Sequence, residues 1–162
     1  MVLSTAALCL AANIYFEARN QPVDGQFAVA YVTTNRSNLK DSHVCDEVFK
    51  PKQFSWTSDR SVIKVATRTI KPKAFPANIV DGKAFNRALK IANIVLDSQS
   101  LFKDVSRGAT MYHHVSILPF WAKSDKFKLV ARIGDHLFYV KSNQTYVTDN
   151  THKSSNVVLA SL

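Results

Sequence analysis

The strongest constraint on the fold is a stripe of apolar residues, Phe85, Ala88, Leu89, Ala92, Val95 and Leu96, that recurs at three- and four-residue spacing. Such spacing sets one face of a helix against a core. Asp81-Gly82 opens the segment and Asp97 closes it, so a helix over about 84–96 is predicted. A second stripe, Ala7, Leu10, Ala11, Ile14 and Ala18, marks an earlier helix. Asn20-Gln21-Pro22 interrupts it, and Pro22, suited to a first helical position, begins another with Asp24 in its first turn. That second helix carries Val23, Phe27, Ala30, Tyr31 and Thr34 on one side. A short helix is expected from His43 to Phe49, closed by Pro51.

Strand signals gather in the C-terminal half. Val130 to Ile133, then Gly134-Asp135, then His136 to Val140 reads as a two-residue hairpin whose turn suits type II′. Thr110 to Val115 is a candidate third strand. Lys50 to Pro76 mixes prolines, polar residues and aromatics and reads mainly as loop, with a helical turn around Val62 to Thr69. The expected class is a helix-rich α+β domain with a small antiparallel sheet. At 162 residues and 46% hydrophobic composition, one compact domain is expected. The domain is expected over 1–140, followed by a polar tail or extension over 141–162 rich in Ser, Thr, Asn and Gln.

Asn13, Glu17 and Arg19 interrupt the most apolar region, so no segment is long enough to span a bilayer. The apolar start lacks a positive n-region and a small-residue cleavage site, and is expected to be core helix and not a secretion signal. Leu8 before Cys9 also argues against a lipoprotein signal. Cys9 and Cys45 can pair or remain buried thiols; their number alone leaves both open. The formal net charge of +9 points to an anionic partner, either nucleic acid, a membrane surface or envelope polymers. The basic residues are dispersed from Arg19 to Lys153 and suit a broad field better than a nucleic-acid-binding arm.

Glu17 is the most informative residue for chemistry. Helical spacing sets it one turn beyond Ile14, at the edge of the apolar face and near the C-terminal, negative end of its helix. Partial burial and the helix dipole both favour the protonated carboxyl, which is the form a general acid needs. The alternative is an ordinary surface ion pair with Arg19 or Arg36. Asp24 reads as a helix-first-turn acid. Trp56 and Trp121 offer flat apolar surfaces for sugar rings or for packing, and Phe54 reads first as packing. Tyr112 and Tyr139, at strand-like positions, can line the same groove. His113 and His114 are adjacent on a strand and point to opposite faces, so a shared metal is not expected.

Cys9 to Arg19, Pro22, Gly25 to Ala30 and Asn35-Arg36 together resemble the opening signature of the SleB/CwlJ-type cell wall hydrolases. Later blocks follow in the family order: Val44-Cys45, Gln53-Phe54-Ser55-Trp56, Tyr112-His113, Pro119-Phe120-Trp121-Ala122 and Ile133 to Tyr139. The resemblance implies a lysozyme-like catalytic domain acting on bacterial peptidoglycan, with Glu17 as catalytic residue. Within these blocks Gln53, Trp56, Tyr112, His113, Trp121 and Tyr139 are the candidate substrate-binding positions, His113 either touching substrate itself or supporting a residue that does. In the family the arginine is usually followed by Gly-Glu, whereas Asn20-Gln21 stand here. A single carboxyl suffices for a lytic transglycosylase, so cleavage of the MurNAc–GlcNAc β-1,4 bond by that route is expected ahead of hydrolysis by a muramidase. An inverting hydrolase needs a second carboxylate about 6.5–9.5 Å from the first. No cofactor is implied, nucleic acid is not an expected partner, and a monomer is expected. Short length and the absence of a leader resemble a phage lysis enzyme released by a holin, with a bacterial autolysin or germination enzyme as alternatives. The contrasting class is a non-enzymatic binder of polyanions, in which Glu17 is structural.

Overall fold

The structure, a computed structural model, describes residues 4–58, 79–97 and 102–143. Its first helix, α1 (Thr5–Ala18), starts at Ser4, whose hydroxyl oxygen accepts the Ala7 N–H at 3.0 Å. This satisfies one of the donors a helix leaves unpaired at its start. The helix is apolar almost all round, and Ala6, Ala7, Cys9 to Tyr15 and Ala18 are all buried. Such a helix belongs in the centre of a fold, and α2 (Val23–Arg36), α3 (Asp41–Val48) and α4 (Gly82–Asp97) pack around it. Its many alanines let these neighbours approach closely. Asn13, the polar exception in its middle, donates to the Thr33 hydroxyl at 3.0 Å and so ties α1 to α2.

The expected stripe on α4 faces this core. Ala84, Ala88, Ile91, Ala92 and Val95 are buried with Leu10, Ile14 and Tyr15, while Phe85, Leu89 and Leu96 pack at its margin. Asp81 caps α4 by accepting the Ala84 N–H at 3.0 Å, and Tyr15 Oη accepts the Asp81 N–H at 3.1 Å. The starts of α2 and α3 differ from expectation. Pro22 precedes α2 as its cap residue with extended ψ, one position earlier than expected, and α3 begins at Asp41, which brings an acid into its positive first turn.

Cys9 and Cys45 form a disulfide that joins α1 to α3 across a sequence separation of 36, with their Cα atoms 5.3 Å apart. A loop of this size, cross-linked, loses much of the entropy of its unfolded state. Replacing both cysteines with serine is expected to cost roughly 2–4 kcal/mol. Thermal melts of the variant, and of the parent with and without reductant, check this; coincident curves would remove the disulfide from the stability of the domain.

The sheet has the order β1-β3-β2 and is antiparallel throughout: β1 (Met111–His114), β2 (Phe127–Ile133) and β3 (His136–Lys141). β2 and β3 form the expected hairpin, with Ile133 opposite His136 and Gly134 at φ +54, where a side chain would be strained. A bulge between Leu129 and Ala131 interrupts the ladder. Phe138 projects from β3 into a second core of Ala18, Ala28, Val29, Val32 and Ala109, which joins the sheet to α1 and α2. No described helix is long and apolar enough to cross a membrane. The turn expected at 62–69 and the tail beyond 143 lie outside the described residues.

Candidate active site

Glu17 sits in the last turn of α1, and β1 supplies its partner: Tyr112 donates its hydroxyl to Glu17 Oε2 at 2.9 Å. The two residues are far apart in sequence and meet because Tyr112 lies directly opposite Phe138 in the ladder. Phe138, buried against α1 and α2, draws that face of the sheet down onto the helices. Tyr112 leans on Phe138 with ring centroids 5.7 Å apart and on His136 at 5.2 Å.

Burial pushes the Glu17 carboxyl above its ordinary value, and this outweighs the opposing pulls of the Tyr112 hydrogen bond and the Arg36 charge. Arg36 ends α2 and is anchored at the start of β1, with Nε donating to the Thr110 carbonyl at 2.5 Å and Nη2 to Met111 Sδ at 3.6 Å. Among the described residues Glu17 is in no ion pair, so the surface-pair alternative does not hold. Burial, and then the Glu17 charge, hold the Tyr112 hydroxyl protonated well above the usual tyrosine range. Since that proton points at Oε2, the carboxyl's own proton belongs on Oε1. The result is a half-buried acid with one oxygen fixed and the other available. Among the described residues no carboxylate is among the groups that shift it.

The other expected contact residues fall into two groups. His113, next to Tyr112 on β1, faces the opposite side of the sheet, where its ring stacks on Tyr139 at 5.4 Å and meets Trp121 edge-on at 5.7 Å. His113 Nδ1 donates to the His114 carbonyl at 2.9 Å, and its Nε2 is hydrogen-bonded to the Tyr139 hydroxyl, 3.0 Å away. Trp121 also packs edge-on against Tyr139 and Phe127, both at 5.3 Å, and stands beside Phe120, which is 91% exposed. His113, Tyr139 and Trp121 therefore form one aromatic cluster on the sheet face that turns away from Tyr112. Trp56, in a short 3-10 turn over Ser55–Ser58, stacks on Phe16 at 4.7 Å, immediately before Glu17 in the chain. Its Nε1 is buried without a partner among the described residues. Gln53 is half-buried at the start of this turn region, with its backbone N–H bonded to the Lys50 carbonyl. Phe54 is buried and packs near Arg36, in keeping with a packing role. Asp24 is exposed in the first turn of α2.

Three residues join the site that spacing did not single out. Arg36 was visible as a possible ion partner, but its docking on β1 depends on tertiary structure. His136 is buried beside Tyr112, with Nδ1 unpartnered among the described residues and its pKa lowered by burial, so it is neutral near pH 7. Gln21 is buried against the hairpin turn, where it bonds to Asp135. Among the described residues no group of three His, Cys, Asp or Glu side chains is arranged to hold a metal ion.

A family model described as Cell Wall Hydrolase matches residues 20–139, which takes in Arg36, Tyr112 and the aromatic cluster and begins just after Glu17. The structure is similar to the crystal structure of the catalytic domain of the Bacillus cereus SleB protein. The TM-score is 0.51 at 22% identity, over 85% of this chain and 91% of that one. At that identity the likeness concerns the fold, a helical body with a small antiparallel sheet. No curated protein matches the chain.

Proposed function

The chain belongs to the cell wall hydrolase family, and from that membership we propose that it cleaves peptidoglycan glycan strands at the MurNAc–GlcNAc β-1,4 bond as a lytic transglycosylase. The observation that carries this reading is the environment of Glu17, a carboxyl made less acidic by burial and held at one oxygen by Tyr112. Glu17 Oε1–H gives its proton to the glycosidic oxygen as the bond to MurNAc C1 breaks. The new carboxylate, stabilised by the Tyr112 hydroxyl and the Arg36 charge, then takes the proton of the MurNAc C6 hydroxyl. The C6 oxygen bonds to C1, which closes a 1,6-anhydro ring and restores the acid. No water and no second carboxylate enter. The route needs one carboxyl, and among the described residues no second carboxylate contributes to the shift of Glu17.

Trp56, which stacks on Phe16 next to Glu17, is proposed to bind sugar rings at the site, with Gln53 three residues before it in the chain; the His113–Tyr139–Trp121 cluster, on the other face of the sheet, is proposed as a separate sugar contact. The charge of +9 suits a wall rich in carboxylates and other anionic envelope polymers. The catalytic unit is assigned to 1–140, with 141–162 as an extension, and it acts as a monomer on the cell wall, as a phage lysis enzyme does.

Mass spectrometry of purified peptidoglycan after digestion tests the reading. Anhydro-muropeptides are expected. New reducing ends would replace transglycosylation by muramidase action, intact glycan with released peptide would mean an amidase, and no change would favour a non-enzymatic binder. Tyr112→Phe is expected to lower the rate about 10-fold to 10²-fold, because a hydrogen bond to a charged group is worth roughly 1.5–3 kcal/mol. Since that bond lowers the Glu17 pKa, its loss moves the alkaline limb of the pH–rate profile upward. A limb that stays in place would detach Tyr112 from the acid.

A further inference from the structure

The side chain of Gln21 uses both ends of its amide on one residue. Its Oε1 accepts the Asp135 N–H at 2.9 Å and its Nε2 donates to Asp135 Oδ2 at 3.2 Å. Its own backbone N–H bonds the Ala18 carbonyl at 2.9 Å, at the end of the helix that carries Glu17. The Asp135 carbonyl in turn accepts the Val115 N–H at 2.8 Å, just past the end of β1, the strand that carries Tyr112. A closed ring of contacts therefore runs from Glu17 along α1 to Gln21, across to Asp135, into β1 and back through the Tyr112 hydroxyl to Glu17.

The joint is tight. A Cβ on Gly134 would fall 2.5 Å from Gln21 Oε1 and 2.9 Å from Pro22 Cδ, and a Cβ on Gly25 would fall 3.2 Å from Gln21 Cβ. Gln26 Nε2 donates to the Gln21 carbonyl at 2.9 Å and fixes the corner from the α2 side. Both the side chain and the backbone of this residue are thus committed to holding the hairpin turn on the corner between α1 and α2.

We propose that Gln21 and Asp135 form a positioning clamp that sets the Tyr112–Glu17 hydrogen bond, and that residue 21 must be an uncharged donor because its partner is a carboxylate. This rests on the assignment of Glu17 as the acid. It predicts a specific failure and a specific rescue. In Gln21→Glu the donor is lost and two carboxyls face each other. They can share a proton at low pH but repel once both ionise. Combining Gln21→Glu with Asp135→Asn makes the amide and the carboxylate change places. The new amide at position 135 can then donate to the new carboxylate at position 21, and the backbone N–H of residue 135 keeps an acceptor.

The test measures kcat and KM on purified glycan strands from pH 4 to 9, together with melting curves, for Gln21→Ala, Gln21→Glu and the double exchange. Gln21→Ala is expected to lose about 10-fold to 10²-fold in kcat with little change in KM, the scale of a reacting group displaced by about 1 Å. Gln21→Glu should approach the parent rate at the acid end and fall away as pH rises, and the double exchange should recover most of the parent rate across the range. His136, whose charge is coupled to Asp135, His114 and His113, is present in every variant, so the comparison is with the parent at each pH. Gln21→Ala with parental kcat and only a lower melting temperature would overturn the proposal. So would a folded double exchange as slow as Gln21→Glu.

Glu17→Gln run in parallel separates the two failures. If it stays active, the assignment of the acid fails and the clamp is judged on the Glu17 carboxyl titration followed by NMR. Gln21→Ala is then expected to raise that pKa by weakening the Tyr112 bond, and an unchanged titration would overturn the clamp as well.

Discussion

Glu17→Gln is expected to abolish glycan cleavage, with a loss of at least about 10²–10⁴-fold in rate, while the domain stays folded. Gln matches the Glu side chain closely in shape and can still accept the Tyr112 hydroxyl through its carbonyl oxygen, so the contact at 2.9 Å has a substitute. What it lacks is the proton on the second oxygen. Release of anhydro-muropeptides from purified wall measures the loss directly, and a variant clearing a wall suspension near the parental rate would place the acid elsewhere, with Asp24→Asn the next to examine.

The same substitution carries a stability signature that distinguishes a tuned acid from a passive one. Because burial raises the Glu17 pKa above its ordinary value of 4.5, the folded state binds the proton more tightly than the unfolded state. Stability contributed by the protonated form is complete below the ordinary value and is lost as pH rises through the folded-state pKa. Once pH has passed the folded-state value, the parent holds a half-buried carboxylate at a cost that the neutral amide avoids. Glu17→Gln should melt at or above the parent at pH 7 to 8, and the difference should close below about pH 4.5, the ordinary carboxyl value. A parent more stable than the variant at neutral pH would mean that its ionised carboxylate is well solvated or well paired.

How much of this was legible beforehand depends on the range of the forces involved. The stripes on α1 and α4 were readable because helical periodicity is local and each stripe needs a core. The hairpin was readable because Gly134 supplies the positive φ its turn requires. Glu17 stood out only as a carboxyl at the edge of an apolar face, and the family resemblance raised it to a catalytic assignment. Its partner Tyr112 was expected merely as a groove residue, since their contact joins α1 to β1 across a packed interface that no local pattern encodes. The same holds for Gln21. Along the chain it was a departure from the family's glutamate and a missing carboxylate, and only the approach of Asp135 gives the amide a reason of its own. The aromatic contact positions were expected to share one groove. Strand alternation separates Tyr112 from His113, so at least part of that set lines a different face of the sheet from the one that holds Glu17.

Phe138→Ala is expected to have the largest effect on stability, roughly 3–5 kcal/mol. The ring is fully buried, and it fills the space between β3 and the residues Ala18, Ala28, Val29, Val32 and Ala109. All of these neighbours are valine or alanine, with short side chains that cannot reach into the void, so the cavity should stay largely open. For a domain of this size each kcal/mol lowers Tm by roughly 2–4 °C, and a fall of about 10 °C is therefore the expected reading in a thermal melt. The site should suffer with the core, because Tyr112 rests on Phe138 and its hydroxyl reaches Glu17 only from that seat. Below its own melting range the variant should be slower than the parent, and Phe138→Leu, which refills most of the volume, should recover both Tm and rate in part. If Phe138→Ala melts low yet turns over glycan at the parental rate when folded, the ring is a structural plug alone. The seat of Tyr112 would then be set by the Arg36 contacts at Thr110 and Met111.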